Sequence, residues 1–160
     1  MNRVILVIAL LLGTELSARE PGQFGLGLVR IIVPPVVLFQ VPNVGANSTA
    51  SSPTTVSFDQ AVLGLGEALR ISVRADGDLT LPGGGAIPAT NISWTTSNVL
   101  NGIGINGALN KITYTPVFES TVGAAAGRVV LTWTLSAPGG GLTAGTRYAA
   151  LRWRFEAVTP

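Results

Sequence analysis

The sequence predicts an all-β chain, folded as an antiparallel two-sheet β-sandwich behind a short apolar leader. Three observations predict it. Apolar and polar residues alternate in short runs, at the period of two that a strand imposes on its side chains. Gly- and Pro-rich turns separate those runs. After the leader, no stretch sustains a 3.6-residue apolar period with helix caps.

The leader comes first. Arg3 is the one charge before an apolar run from Val4 to Leu12, which Gly13 and Thr14 interrupt before Leu16-Ser17-Ala18. A basic start, a short apolar stretch and small residues at its end make a secretory signal peptide, with cleavage expected after Ala18. A bilayer-spanning helix needs about twenty apolar residues, so no transmembrane anchor is expected to remain once residues 1–18 are removed. The alternative is a buried N-terminal strand or helix. Residues 19–160 then form one domain, of a size that buries its own core without disulfides. The chain has no cysteine at all.

Within that domain, residues 19–44 read as an apolar strand segment. Leu26 to Val33 and Val36 to Val41 are two apolar runs split by Pro34-Pro35. Neither alternates fully, so such a strand is buried on both sides or needs a partner. The prolines cannot donate to a ladder and mark a kink, a crossing between sheets or an edge. Residues 45–55 are rich in Ser, Thr, Asn and Gly and read as a mobile, exposed loop.

Residues 56–160 form the body. Val56 to Leu63 is a first candidate strand. Leu69, Ile71, Val73 and Ala75 alternate with Arg70, Ser72 and Arg74, giving one dry and one wet face. Asp76-Gly77 follows as a hairpin turn tolerant of positive φ. Weaker runs lie at Asn91 to Thr96 around Trp94, and at Lys111 to Phe118 around Ile112 and Tyr114. Val129, Leu131, Trp133 and Leu135 point inward from the next strand. Ala149, Leu151, Trp153 and Phe155 point inward from the last, with Arg152, Arg154 and Glu156 outward. Three inward tryptophans suit a core between two sheets about 10 Å apart.

Composition bounds the chemistry. Only 11% of residues are charged, against about 25% in a typical chain. Sixteen threonines and ten serines carry much of the polarity. A surface of hydroxyls and glycine is poorly protected against self-association, which favours contact with other copies or with a surface. A net charge of +2 with no basic cluster gives no reason to expect nucleic acid as a partner. Without histidine or cysteine, most metal sites, triads and thiol chemistry are excluded. The acids Glu20, Asp59, Glu67, Asp76, Asp78, Glu119 and Glu156 fall in no catalytic motif. Asp76-Gly77-Asp78 lacks the further acids of a calcium loop and reads as a turn. Trp94, Trp133 and Trp153 could offer a sugar-stacking platform, but alternation places the latter two in the core. No enzyme activity, cofactor or metal is expected.

Leu142-Thr143-Ala144-Gly145-Thr146-Arg147-Tyr148 leads into the run from Ala149 to Val158. This turn and strand resemble the C-terminal part of secreted pilin-like sandwich subunits of bacteria, whose last strand often follows a Leu-x-Ala-Gly-Thr-x-Tyr turn. The likeness covers Leu142 to Val158 closely and the rest in architecture alone. The chain departs from many such subunits in lacking a cysteine pair and in its Arg152-Trp153-Arg154 ending. The resemblance implies an immunoglobulin-like sandwich that polymerises by strand donation, a neighbour's N-terminal extension completing its groove. The donor or assembly candidates are Leu26, Leu28, Val29, Ile31 and Val33; the bland alternative is an ordinary first strand of the same sandwich. The resulting expectation is a non-catalytic structural or adhesive protein, secreted, periplasmic or on the cell surface. Its partners would be other copies of itself or surface-assembly proteins. The alternative is a monomeric secreted binding module for carbohydrate.

Overall fold

The computed structural model describes residues 4–9, 30–33, 36–41, 45–138, 140, 142 and 145–160. These are nearly all β, in antiparallel sheets, with one 3-10 turn at Ala89–Asn91. In chain order the strands are β1 (Val4–Ala9), β2 (Arg30–Ile32), β3 (Val36–Val41), β4 (Ser48–Thr49), β5 (Thr54–Asp59), β6 (Ala68–Ala75) and β7 (Leu79–Thr80). They continue with β8 (Ala86–Ile87), β9 (Ile92–Leu100), β10 (Gly102–Gly104), β11 (Gly107–Ala108), β12 (Thr115–Ser120), β13 (Gly127–Leu135) and β14 (Leu151–Val158). One sheet has the order β10-β12-β6-β14. The other runs β11-β9-β13-β5-β2, with β4 also paired to β13. β1 pairs with β3, and β7 with β8 forms a small ribbon.

Alternation sets which faces meet. On β13, Val129, Leu131, Trp133 and Leu135 are buried, while Val130, Thr132 and Thr134 are half-exposed and Arg128 is exposed. On β6, Leu69, Ile71, Val73 and Ala75 are buried. On β14, Leu151 and Trp153 are buried and Phe155 is half-buried, with Trp153 opposite Val73 and Phe155 opposite Ile71. The inner faces of both sheets share one core. Phe58 of β5 and Phe118 of β12 bridge them, with ring centroids 6.0 Å apart.

All three tryptophans lie in this core. Trp94 and Trp133 are direct cross-strand neighbours on β9 and β13, packed edge to face at 5.3 Å. Their indole N–H groups donate to the Ile105 carbonyl and the Thr54 hydroxyl at 2.8 and 2.9 Å, so both rings are buried without losing a hydrogen bond. A sugar platform built on these faces is therefore not present.

The structure corrects several expectations. Residues 45–55 are not wholly a loop: β4 pairs with Thr134 and Leu135, and Ser48 and Thr54 are buried. The hydroxyl of Ser48 donates to the Gln40 carbonyl at 2.6 Å, so polarity here serves pairing rather than solvation. The run from Val56 ends at Asp59, because Gln60 turns the chain with φ of 59°. The run from Lys111 starts only at Thr115. The Asn110 carboxamide accepts from the N–H groups of Ile112 and Thr113 and bends the chain, leaving Ile112 84% exposed. Asp76-Gly77 is a bend, and neither residue has positive φ. Both sides of β6 are already occupied by β12 and β14, so the outgoing chain cannot fold back as a hairpin and enters the β7–β8 ribbon.

Replacing Trp133 with alanine is expected to cost about 3–5 kcal/mol, because it opens a cavity beside Trp94. Arg152→Ala on the outer face of β14 should cost about 1 kcal/mol or less, the worth of an exposed ion pair. Denaturant unfolding of the two variants checks the ranking; the reverse order would mean that the inward and outward faces are misassigned.

Candidate functional site: the open sheet edges

Of the candidate assembly residues, Leu26, Leu28 and Val29 lie outside the described residues. Ile31 sits in β2, opposite Phe58 of β5, and packs half-buried against the core, as does Val33 just beyond the strand. Arg30 lies opposite Asp59, with their charged groups 4.0 Å apart. This part of the apolar segment thus pairs within its own chain. The second apolar run forms β3, whose neighbour on one side is the β4 region: Phe39 bridges Ala50, and the Ser51 N–H donates to the Leu38 carbonyl at 2.9 Å.

The other side of β3 pairs with β1, in register from Val4 opposite Val41 to Ala9 opposite Val36. β3 alternates cleanly. Val37, Phe39 and Val41 enter the core, while Val36 and Leu38 are each 40% exposed and Gln40 is exposed beside them. The strand that covers this edge therefore comes from the N-terminal apolar run, which is paired here as a strand.

β14 is the edge of the other sheet, and β6 is its one partner among the described residues. Its outward side chains are Arg152, Arg154 and Glu156. Charge on an edge strand opposes the addition of a further strand. Arg154 and Arg74 both lie over the Tyr114 ring, 4.5 and 5.2 Å from its centroid, and Arg154 meets Glu156 at 3.1 Å. The outer face of this sheet is thus a lattice of cations, acids and one aromatic ring.

The acids of the body are engaged in such contacts. Asp76 receives Arg152 at 2.6 Å and Arg74 at 3.6 Å. Asp78 accepts from Lys111 at 2.8 Å and from the Ala89 N–H at 2.9 Å. Glu119 accepts both Nε and a terminal nitrogen of Arg70, and Glu67 accepts from the Gly64 N–H. Among the described residues, no group of three His, Cys, Asp or Glu side chains could hold a metal ion. No helix among them is long and apolar enough to cross a membrane. Comparison with known protein families gives no match, and no curated protein matches the chain in sequence.

Asp78 holds its carboxyl below the ordinary 3.8, chiefly through the Lys111 ammonium and then through the Ala89 N–H. A carboxyl whose pKa is depressed by folding adds stability above its unfolded pKa and loses it as pH falls through the folded one. The wild type should therefore lose part of its advantage over Asp78→Asn below about pH 4. Denaturation midpoints of the two chains, measured from neutral to acid pH, should converge on the acid side. A constant gap would show that the contacts of Asp78 do not depend on its charge.

Proposed function

We propose that this chain is an exported structural or adhesive subunit, an immunoglobulin-like sandwich that assembles by β-strand addition at the outer edge of β3. One observation carries the reading: the strand pairing with that edge, Val4–Ala9, belongs to the segment with the features of a cleavable signal peptide. Its removal leaves six residues of edge backbone without a partner, flanked by Val36, Leu38 and Gln40 rather than by charge. An uncharged edge that accepts an apolar antiparallel strand from its own chain can accept one from another copy. Low overall charge supports the same reading, since few like charges would hold copies apart. The likeness of Leu142 to Val158 to pilin-like subunits agrees with it. The donor strand is a segment of a second copy. Leu26 to Val33 is its candidate, and Arg30–Ile32 would have to leave β5 to serve in that role.

Light scattering tests the proposal. A chain of residues 19–160 should form large species at concentrations where the full chain stays small. Val36→Lys with Leu38→Lys, two exposed positions, should return the shortened chain to a monomer with its melting temperature little changed. A shortened chain that stays monomeric at every concentration would transfer the lead to the monomeric binding module.

A further inference from the structure

β14 is a long edge, and its register with β6 is unbroken from Leu151 opposite Ala75 to Val158 opposite Ala68. Among the described residues β6 is its one partner. The Asp76 N–H donates to the Ala150 carbonyl at 2.9 Å. In an antiparallel ladder alternate residues bond to a given neighbour, so Ala150, Arg152, Arg154 and Glu156 bond toward β6. The N–H and C=O groups of Trp153, Phe155 and Ala157 therefore face the open side.

Burial is incomplete along the same strand. On the inner row Leu151 and Trp153 are buried, while Phe155 and Ala157 are only half-buried, although Phe155 packs on the core. The outer row is Arg152, Arg154, Glu156 and Val158, all half-buried. Arg152 is neutralised by Asp76 at 2.6 Å. Arg154 and Glu156 meet one another at 3.1 Å along their own strand, and the buried Nε of Arg154 has no hydrogen-bond partner. An ion pair between two residues of one strand can be exchanged for the same pair made across two strands.

Two constraints fix how a second copy can add here. Inner row must meet inner row, so a twofold axis passes through a residue and not between two. Like charges must not stand directly opposite. An axis at Phe155 meets both. It sets Arg154 opposite Glu156 of the second copy, Glu156 opposite its Arg154, Arg152 opposite Val158, Trp153 opposite Ala157, and Phe155 opposite its own copy. An axis at Arg154 or at Glu156 would set that residue against itself, and an axis at Trp153 would set Arg152 against Arg154. We propose that β14 pairs with β14 of a second copy about an axis at Phe155, so that the two four-stranded sheets become one. The charges that keep an uncharged strand off this edge select a strand with the same sequence. Two interstrand ion pairs form, and the two half-buried phenyl rings cover one another.

A contact of one strand pair is small, so the dimer is weak, with a dissociation constant on the order of 100 μM. It does not use the β3 edge, and it is read at concentrations far above those at which the shortened and full chains are compared. Analytical ultracentrifugation of the full chain, taken to about ten times that constant, should show a monomer–dimer equilibrium. Glu156→Arg sets Arg opposite Arg and Arg154→Glu sets Glu opposite Glu, so each alone should weaken the dimer at least about tenfold. Mixed in equal amounts, the two variants should form a heterodimer at least as tight as the wild-type dimer. The chain carrying both exchanges should dimerise like the wild type. The protein has no cysteine, which permits a second test that does not rely on charge. Arg154→Cys mixed with Glu156→Cys should oxidise to a mixed disulfide faster than either variant alone, because these positions are direct neighbours across the axis. A full chain that stays monomeric over the whole range would overturn the proposal. So would single charge variants that dimerise like the wild type, a mixture that does not recover the dimer, or equal rates of disulfide formation. Loss of the dimer in Val36→Lys with Leu38→Lys would overturn it too, by assigning association to the β3 edge.

Discussion

The strict alternation of β13 is the constraint on which the rest of the structure depends. Its inward row of Val129, Leu131, Trp133 and Leu135 is buried along its whole length, and a slip of one residue would exchange that row for Arg128, Val130, Thr132 and Thr134. On one side β9 follows it in register from Val130 to Leu135, which sets Trp94 against Trp133, and the register shifts between Val130 and Arg128. On the other side its partners are two, β5 beside Gly127–Leu131 and β4 beside Thr134–Leu135. The division between β4 and β5 passes outward to the next layer of strands. β2 pairs with β5, and β3 meets the β4 region, so the division between β4 and β5 is matched by that between β3 and β2.

Strands whose two faces differ were legible from the sequence. β6, β13 and β14 alternate between aliphatic or tryptophan residues and Arg, Thr or Glu, and burial follows that alternation along β13, along most of β6 and on β14 as far as Arg154, beyond which every residue to Val158 is half-buried. Ser72 departs from it: it points outward yet is buried, at a position between Arg154 of β14 and Pro116 of β12. Asn101-Gly102 is an Asn-Gly pair of the kind that marks a reversal, and Asn101 has φ of 54°. What failed to read were segments whose role is set by distant partners. Ser48–Thr49 looks like loop because two polar residues have no period, and only Thr134 and Leu135 make them a strand. Ile112 looks like strand because its neighbours are apolar, and the Asn110 side chain overrides that by capturing two backbone N–H groups.

Arg147 shows the limit most clearly. The sequence places it in a polar turn before the last strand, and the structure buries it completely. Its guanidinium donates to the carbonyls of Gly84 and Gly85, so it holds the glycine-rich turn after β7 against the segment leading into β14. A buried guanidinium is tolerable because carbonyl oxygens satisfy its donors. Nothing local marks that role, since the acceptors are backbone atoms sixty residues away in a stretch without side chains. The assembly candidates divide in the same way. The apolar character of Ile31 and Val33 was legible, but which strand Ile31 would join was a matter of topology, and β5 supplied the answer.

The edges of the two sheets are protected in different ways, and the difference singles out one of them. β10, β11 and β2 are three residues or fewer, too short to template a further strand. β14 is eight residues long but carries Arg152, Arg154 and Glu156 outward. β3 has neither device. It is six residues long, has no charged residue, and presents Val36 and Leu38 to solvent on its outer face. Its outer backbone groups are satisfied by β1 instead. Protection by shortness or by charge is permanent, because it is written into the strand itself. Protection by another strand lasts only as long as that strand stays attached, and β1 is the part of the chain whose sequence has the form of a segment made to be removed. Of all the described edges, β3 is thus the one whose protection lies in another strand rather than in its own length or charge.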